Sequence, residues 1–217
     1  MKSKLVIFDL DGTLCNTIED IVSAIQHSLI EFKIEPISKE RIRPLLGKSI
    51  KDIFIQLLPE ETKDELFLNG IVDFYNNYYL NNPATYSQMY NGIKKVITTL
   101  KTRGYYLAVA TNKRVTIAER IVKHFFGDDF DVVRGNDGVT PLKPNPTVIH
   151  QLQKQFDVDS KNTFYIGDTE IDYLVADNAK VNAIVVTYGY RDKQDLLAKI
   201  KGEPIYVDSP NDLLNYL

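Results

Sequence analysis

The chain has 217 residues, of which 44% are hydrophobic and 25% charged, and its 26 basic and 29 acidic residues leave a formal net charge of −3. This length can bury a full core as one domain or as one domain with a modest insertion. The charges are mixed without a basic stripe, so nucleic acid is not expected as a partner. No apolar run approaches the roughly 18 residues of a membrane span, the first is too short for a signal peptide, and a single cysteine excludes an internal disulfide. We therefore expect a cytoplasmic protein that does not bind membranes.

Short apolar runs, rich in β-branched and aromatic residues, predict five strands at 4–10, 105–111, 130–134, 163–167 and 183–187. Their apolarity is continuous, which is typical of strands covered on both faces, as in a parallel sheet. Segments of helical length lie between the later strands, at 92–103, 114–126, 146–156 and 169–179. This alternation predicts an α/β fold with a Rossmann-like, doubly wound parallel sheet.

The segment from residue 16 to about residue 85 contains no convincing strand. Apolar residues recur there at helical spacing, an N-cap is expected at Asn16 or Thr17, and Ser49 with Asp52 predicts a capping box. An aromatic stripe between residues 66 and 79 predicts a further helix that packs against its neighbours. The sequence thus predicts a core domain formed by residues 1–15 and 86–217 and a helical cap domain formed by residues 16–85.

Two carboxylates, Asp9 and Asp11, directly follow the first predicted strand, and Gly12 then permits a sharp turn. Ligands bind at this edge of open α/β sheets. Residues i and i+2 of an extended chain point the same way, about 6.6 Å apart, so both acids could address one small ligand. Alone, the pair could equally be two solvated loop carboxylates.

Further polar residues follow the other predicted strands. Thr111 and Asn112 stand where a helix is expected to begin, a place that favours an anion, although an ordinary N-cap explains them as well. Asp168 and Asp172 open the next helix, where acids are favourable in any case. Lys143 lies in a loop stiffened by flanking prolines.

A parallel sheet brings these strand ends together. Clustered carboxylates repel one another, and a divalent cation with oxygen ligands is their natural neutraliser. The hydroxyl and the lysine would hold an anion. A pocket for a cation and an anion with a free carboxylate inside it predicts phosphoryl chemistry.

Four motifs, in order and spacing, carry a resemblance to a known family: Asp9-Leu10-Asp11-Gly12-Thr13, Thr111-Asn112, Lys143-Pro144, and Gly167-Asp168 followed by Asp172. The sequence resembles the haloacid dehalogenase superfamily, in its phosphoglycolate phosphatase and β-phosphoglucomutase-like branch. The resemblance covers essentially the whole chain, and it implies the superfamily's α/β core with an inserted helical cap.

The resemblance also implies roles for individual residues. Asp9 would be the nucleophile that forms an aspartyl phosphate, and Asp11 would act as the general acid and base. Thr111, Asn112 and Lys143 would bind the phosphoryl group. Magnesium, Mg²⁺, would be held by Asp9, the backbone carbonyl of Asp11, and Asp168. Asp172 would orient a metal-bound water or Lys143.

Asp11 argues against dehalogenation, because a halide leaves without a proton whereas an alkoxide needs one. The expected enzyme is a Mg²⁺-dependent phosphatase acting on a small phosphorylated metabolite, with Lys48 and Arg43 of the cap as candidate contacts to a second anionic group of the substrate. The alternatives are a β-phosphoglucomutase-like phosphotransferase and, more distantly, a non-catalytic phospho-acceptor signalling module. A monomer or weak homodimer is expected.

Overall fold

The structure, a computed structural model, describes residues 4–217 except the side chain of Glu61, so the first three residues of the predicted core domain lie outside the described residues. In chain order the strands are β1 (Leu5–Phe8), β2 (Cys15–Asn16), β3 (Gln88–Met89), β4 (Tyr106–Arg114), β5 (Val132–Asn136), β6 (Thr163–Gly167), β7 (Asn182–Val186) and β8 (Ile205–Val207). The α-helices are α1 (Ile18–Glu31), α2 (Lys39–Ile42), α3 (Ile50–Leu57), α4 (Glu65–Asn81), α5 (Ile93–Thr102), α6 (Val115–Phe126), α7 (Thr147–Phe156), α8 (Glu170–Ala179) and α9 (Lys193–Lys199).

Six strands form one parallel sheet in the order β5-β4-β1-β6-β7-β8. The first strand lies at the centre, with β4 on one side and β6 on the other. Because the chain extends the sheet first in one direction and then in the other, the carboxyl end of β1 is where a doubly wound sheet forms its ligand crevice. The predicted α/β fold is confirmed.

The continuous apolarity of β1 follows from burial on both faces. Leu5 and Ile7 pack on one face, in the cluster that contains buried residues of α7 and α8. Val6 and Phe8 pack on the other face, in the cluster that contains buried residues of α5 and α6. All four β1 side chains are fully inaccessible to solvent, as expected of a central parallel strand.

The structure departs from several of the predicted bounds in the core, as where β1 ends at Phe8 and β5 spans Val132–Asn136, and most at three places. Strand β4 continues to Arg114 across a register shift, because Arg114 still pairs with Asn136 of β5. Thr111 and Asn112 therefore lie inside an irregular strand and not at the start of a helix, which begins at Val115. Strand β8 and helix α9 were not predicted, since three apolar residues and a seven-residue helix carry weak patterns.

Four helices, α1–α4, stand between β1 and β4, in the segment for which helices were predicted. The two connecting segments pair as a short antiparallel ribbon, in which Cys15 lies opposite Met89 and Asn16 opposite Gln88. The ribbon marks where the chain leaves and rejoins the sheet. That residues 16–85 form a separate cap domain stays a prediction.

The expected caps of the insertion are formed in part. Ser49 accepts a hydrogen bond from the backbone N–H of Asp52, and its own hydroxyl donates to the Asp52 carboxylate. The Asp52 carboxylate therefore accepts from the Ser49 hydroxyl, and not from the Ser49 backbone N–H as the predicted capping box requires. In the aromatic stripe of α4, Ile71, Tyr75 and Tyr79 are buried. Within residues 4–217, no helix combines the length and apolarity that crossing a lipid bilayer requires.

Candidate active site

Lys143 lies at the centre of the polar cluster at the carboxyl end of the sheet. Its Nζ is 2.8 Å from each of Asp9 Oδ1, Asp172 Oδ1 and the hydroxyl of Tyr165. All four side chains are buried. The structure therefore brings together three residues that the sequence placed on separate segments and adds a fourth, Tyr165.

The loop that carries Lys143 is fixed by Asn112. The Asn112 amide accepts a hydrogen bond from the Lys143 N–H at 2.9 Å and donates to the Lys143 carbonyl at 3.1 Å. It also donates to the Gly47 carbonyl at 2.9 Å. Since these bonds occupy its amide, Asn112 holds the lysine loop and the 47–48 segment in place. Thr111 is buried beside it.

Tyr165 was missed by sequence reasoning. It stands in the middle of β6, where only packing was expected, yet its hydroxyl donates to the Ala110 carbonyl at 2.8 Å as well as contacting Lys143. The one available signal was that a tyrosine in a fully buried strand requires a hydrogen-bond partner for its hydroxyl. With Tyr165 included, the Lys143 ammonium forms hydrogen bonds to three oxygens.

Asp168 is fully buried at the end of β6 and is held by two donors. The backbone N–H of Tyr190 donates to Oδ2 at 2.7 Å, and the Thr13 hydroxyl donates to Oδ1 at 3.3 Å. Gly12, at φ +87°, comes so close that a Cβ there would lie 2.3 Å from Oδ2. The turn after β1 therefore needs glycine both for its dihedral angle and for its contact with Asp168.

Asp172 belongs to the start of α8. It forms a capping box with Thr169, in which the Thr169 N–H and hydroxyl both bond to Asp172 Oδ2. Its other oxygen, Oδ1, accepts from Lys143. Both oxygens are therefore occupied by protein donors, and the role of orienting Lys143 that the family resemblance implies stays a prediction.

The donor set suits a divalent cation. Carboxylate oxygens of Asp9, Asp168 and Asp172 lie within 4.8 Å of one another. Lys143 supplies one compensating positive charge inside this group, so the three carboxylates, when all are ionised, leave an excess of negative charge. Lys143 bonds to Oδ1 of Asp9, and Oδ2 has no hydrogen-bond donor among residues 4–217. Hard oxygen ligands and unpaired negative charge are what Mg²⁺ requires.

Burial and mutual repulsion perturb the ionisation of the cluster. Burial raises the pKa of Asp9 to about 7, with Asp172 and Asp11 adding to the rise and Lys143 opposing it. Burial is the largest cause that raises the pKa of Asp168 well above its usual range, and repulsion from Asp172 and Asp9 adds to the rise. Burial would lower the pKa of Lys143, but Asp172 and Asp9 hold it well above its usual value, so the lysine is charged.

The two acids of the first motif have different partners. Strand β1 ends at Phe8, so Asp9 and Asp11 do not share the extended geometry that the sequence suggested. Asp9 bonds to Lys143, whereas Asp11 Oδ1 lies 3.0 Å from Lys113 Nζ and accepts from the Thr17 hydroxyl at 2.5 Å. Both acids nevertheless line one cavity.

The contacts of Lys113 were not predicted from the sequence. Besides its ion pair with Asp11, its Nζ lies 4.2 Å from the centre of the Tyr79 ring, and its side chain is only 5% exposed. Lys113 therefore connects Asp11 to Tyr79 of helix α4. Thr17, expected only as an N-cap, begins α1 without a side-chain cap bond and gives its hydroxyl to Asp11.

A cavity of about 510 Å³ lies next to Asp9, Asp11 and Lys113. Asp9, Thr111 and Asn112 line it from the sheet, and residues of α1, α3 and α4 form its other wall. A volume in this range matches pockets for small molecules. The sheet edge and the helical insertion thus enclose one site together.

The two candidate cations of the insertion are placed differently. Lys48 lines the cavity, and its Nζ bonds to Gln56 Oε1 at 2.8 Å. Arg43 is not among the lining residues; its Nε donates to the Tyr190 carbonyl at 2.9 Å. This geometry favours Lys48 over Arg43 as a contact to substrate, because Arg43 is directed to the 190–192 segment.

The comparisons agree with this geometry. Residues 6–186 match the family model of the haloacid dehalogenase-like hydrolases. Over 86% of this chain and 87% of each relative, the sequence is 28% identical to a phosphoglycolate phosphatase of Haemophilus influenzae and 29% identical to one of Mannheimia succiniciproducens. A solved structure described as a predicted phosphoglycolate phosphatase from Haemophilus somnus superimposes with a TM-score of 0.88, at 26% identity, over 100% of this chain and 98% of that one. The chain belongs to the haloacid dehalogenase-like hydrolases.

Proposed function

We propose that this hydrolase is a Mg²⁺-dependent phosphatase that removes the phosphoryl group from a small phosphorylated metabolite through an aspartyl-phosphate intermediate. The observation that carries the proposal is the arrangement of Asp9. One carboxylate oxygen is held by Lys143, and the other, without a protein donor, belongs to a residue that lines the cavity. The phosphoglycolate phosphatases among the relatives support the same class of activity.

In this scheme the free oxygen of Asp9 attacks phosphorus, and the ester oxygen leaves as an alcohol after taking a proton from Asp11. Asp11 then removes a proton from water, the water oxygen attacks phosphorus, and inorganic phosphate leaves while the Asp9 carboxylate is restored. The Thr111 hydroxyl and the main chain of Asn112 hold the phosphoryl oxygens, and the Lys143 ammonium, whose three N–H groups bond to Asp9, Asp172 and Tyr165, contributes its positive charge. Asp172 and Tyr165 keep Lys143 in position.

Asp9, the backbone carbonyl of Asp11, and Asp168 would hold the Mg²⁺ ion. When bound, the ion supplies positive charge that offsets the repulsion between the carboxylates and the incoming phosphate. Lys48 is proposed to contact the part of the substrate that leaves. The cavity, closed on one side by the helical insertion, admits small molecules, which supports a metabolite as the substrate.

The test is a phosphate-release screen of phosphorylated metabolites and p-nitrophenyl phosphate with Mg²⁺ present. We expect Asp9→Asn to lower turnover by at least about 1,000-fold while its circular dichroism spectrum stays that of the wild type, because the amide is a poor nucleophile of similar shape. The matched control is Asp73→Asn, an exposed acid on α4 outside the cavity lining. Appreciable turnover by Asp9→Asn would refute the covalent scheme.

A further inference from the structure

Tyr190, in the loop that follows β7, is a buried residue to which the proposed reaction assigns no role. Its backbone N–H donates to Asp168 Oδ2 at 2.7 Å. Its hydroxyl accepts a hydrogen bond from the Thr17 N–H at 2.8 Å and also lies 2.8 Å from Thr17 Oγ1. The preceding residue, Gly189, permits this close approach, because a Cβ there would lie 2.3 Å from the Cβ of Asp168. Tyr190 therefore joins the end of β6 to the start of α1.

The hydrogen bonds of the Thr17 hydroxyl have one direction. Thr17 Oγ1 lies 2.5 Å from Asp11 Oδ1, and an ionised carboxylate only accepts, so the single hydroxyl proton of Thr17 goes to Asp11. Thr17 then has no proton left for Tyr190. The contact between the two hydroxyls therefore uses the proton of Tyr190, since a tyrosine keeps its proton at neutral pH. Tyr190 donates to Thr17, and Thr17 donates to Asp11.

This chain of hydrogen bonds makes the two oxygens of Asp11 unequal. Oδ1 accepts from Thr17 and lies 3.0 Å from the Lys113 ammonium, whereas Oδ2 has no hydrogen-bond donor among residues 4–217. A proton on Oδ1 would replace the Thr17 hydrogen bond and lie beside a cation, so protonation favours Oδ2. Since Asp11 lines the cavity, its unoccupied oxygen is the one available for exchanging a proton with substrate or water.

We propose that Tyr190 is a positioning residue for proton transfer: its hydroxyl fixes Thr17, and through Thr17 it holds Asp11 so that Oδ2 carries the proton. The inference rests on the proposed phosphatase activity and adds to it a residue outside the four motifs. In the first step Asp9 bonds to phosphorus, the bond to the ester oxygen breaks with its electron pair on that oxygen, and the oxygen takes the proton from Oδ2. In the second step water returns a proton to Oδ2 while its oxygen bonds to phosphorus and the bond to Asp9 breaks.

Tyr190→Phe tests this role, because it removes one hydroxyl and keeps the ring that packs in the core. Phenyl phosphate is compared with p-nitrophenyl phosphate, which has a similar shape and a much better leaving group. We expect Tyr190→Phe to lower kcat/KM on phenyl phosphate about 5- to 30-fold more than on p-nitrophenyl phosphate, since a general acid contributes roughly 100-fold or more. Phosphate release with Mg²⁺ present measures both rates. A residue that only supports the fold would change the two rates by the same factor.

A double-mutant cycle connects the loss to Asp11. On phenyl phosphate, or on a metabolite that the enzyme accepts, Tyr190→Phe should lower kcat/KM about 10-fold in the wild type and less than about 2-fold in Asp11→Asn, because no acid is left to position. Thr17→Val removes the intervening hydroxyl but keeps the backbone N–H, and it should reproduce the selective loss. Equal factors for Tyr190→Phe in the two backgrounds would overturn the inference, as would a selective loss in Thr17→Val that Tyr190→Phe does not share.

The matched control is Tyr106→Phe, which removes the same group at the first residue of β4, at the end of the sheet opposite the site. It should change neither the rates nor the preference between the two esters. Thermal unfolding monitors the fold: Tyr190→Phe should melt about 2–8 °C lower, because the buried Thr17 N–H loses its acceptor, and each variant is assayed below its own transition. Wild-type rates for Tyr190→Phe on both esters would overturn the inference. Failure of the phosphatase proposal looks different: the wild type would release phosphate from no ester at all.

Discussion

At the scale of single residues, the site is organised by two lysines that separate two carboxylates. Lys143 holds Asp9 in the buried cluster, and Lys113 holds Asp11 against Thr17 on the other side of the first motif. Each acid therefore has an environment of its own. This separation suits one acid to attack and the other to transfer protons, because acid–base pairs work when their surroundings differ.

The proposed proton-transfer role of Asp11 is tested by Asp11→Asn. We expect kcat/KM on an alkyl phosphate to fall about 100- to 10,000-fold, because the alkoxide leaves poorly without a proton. The fall on p-nitrophenyl phosphate should be much smaller, because p-nitrophenolate is stable as an anion. Both rates are read from phosphate release at saturating Mg²⁺. Equal losses on the two substrates would show that Asp11 is not the general acid.

At the scale of elements, the helical insertion is joined to its return segment by Asp20 of α1. This buried carboxylate accepts hydrogen bonds from the backbone N–H groups of Tyr86 and Ser87 and from the Ser87 hydroxyl. Asp20 follows β2 in the chain, and Tyr86 and Ser87 precede β3. These bonds therefore hold α1 against the segment that returns to the sheet.

Replacing this carboxylate should destabilise the protein. We expect Asp20→Ala to lower the free energy of unfolding by about 2–4 kcal/mol, because it leaves buried N–H donors unpaired. The control is Glu19→Ala, an exposed neighbour whose ion pair with Lys39 is at the surface and should contribute less than about 1 kcal/mol. Urea unfolding measures both. An Asp20→Ala variant as stable as Glu19→Ala would contradict the assigned role.

At the scale of the whole molecule, the carboxylate cluster should make stability depend on pH and, with the proposed metal site, on Mg²⁺. The pKa of Asp9, raised to about 7, and the raised pKa of Asp168 exceed the value of about 4 expected in the unfolded chain. Between these values the folded protein binds more protons than the unfolded chain. The metal-free protein should therefore lose stability as pH rises from about 4 through about 7.

Mg²⁺ should offset this loss, because it favours the ionised carboxylates of the folded state. We expect the rise in Tm on adding Mg²⁺ to be larger at pH 8 than at pH 5, as measured by scanning calorimetry without substrate. Asp168→Asn should abolish most of that rise. A Mg²⁺-induced shift that is equal at both pH values, or unaffected by Asp168→Asn, would contradict a metal site in this cluster.

How far the fold and site could be predicted differs from element to element. Strand β6 was predicted with its observed bounds, because both of its faces are apolar and its last residue is a glycine. Strand β4 was predicted too short, because its last residues are polar and are held by pairing with β5. Asp9, Lys143, Asp168 and Asp172 were placed at the sheet edge from strand ends and motif order, and the structure brings them into one cluster.

The sequence by itself determined the class of fold, the segments that form the sheet, and the motif residues, because these follow from apolar periodicity and from local spacing along the chain. Only the tertiary structure decided which lysine meets which acid and that Tyr165 reaches Lys143. The reason is that these contacts join elements far apart in the chain. These side chains come into contact only when the sheet and the insertion pack together. Local sequence patterns therefore do not predict the contacts.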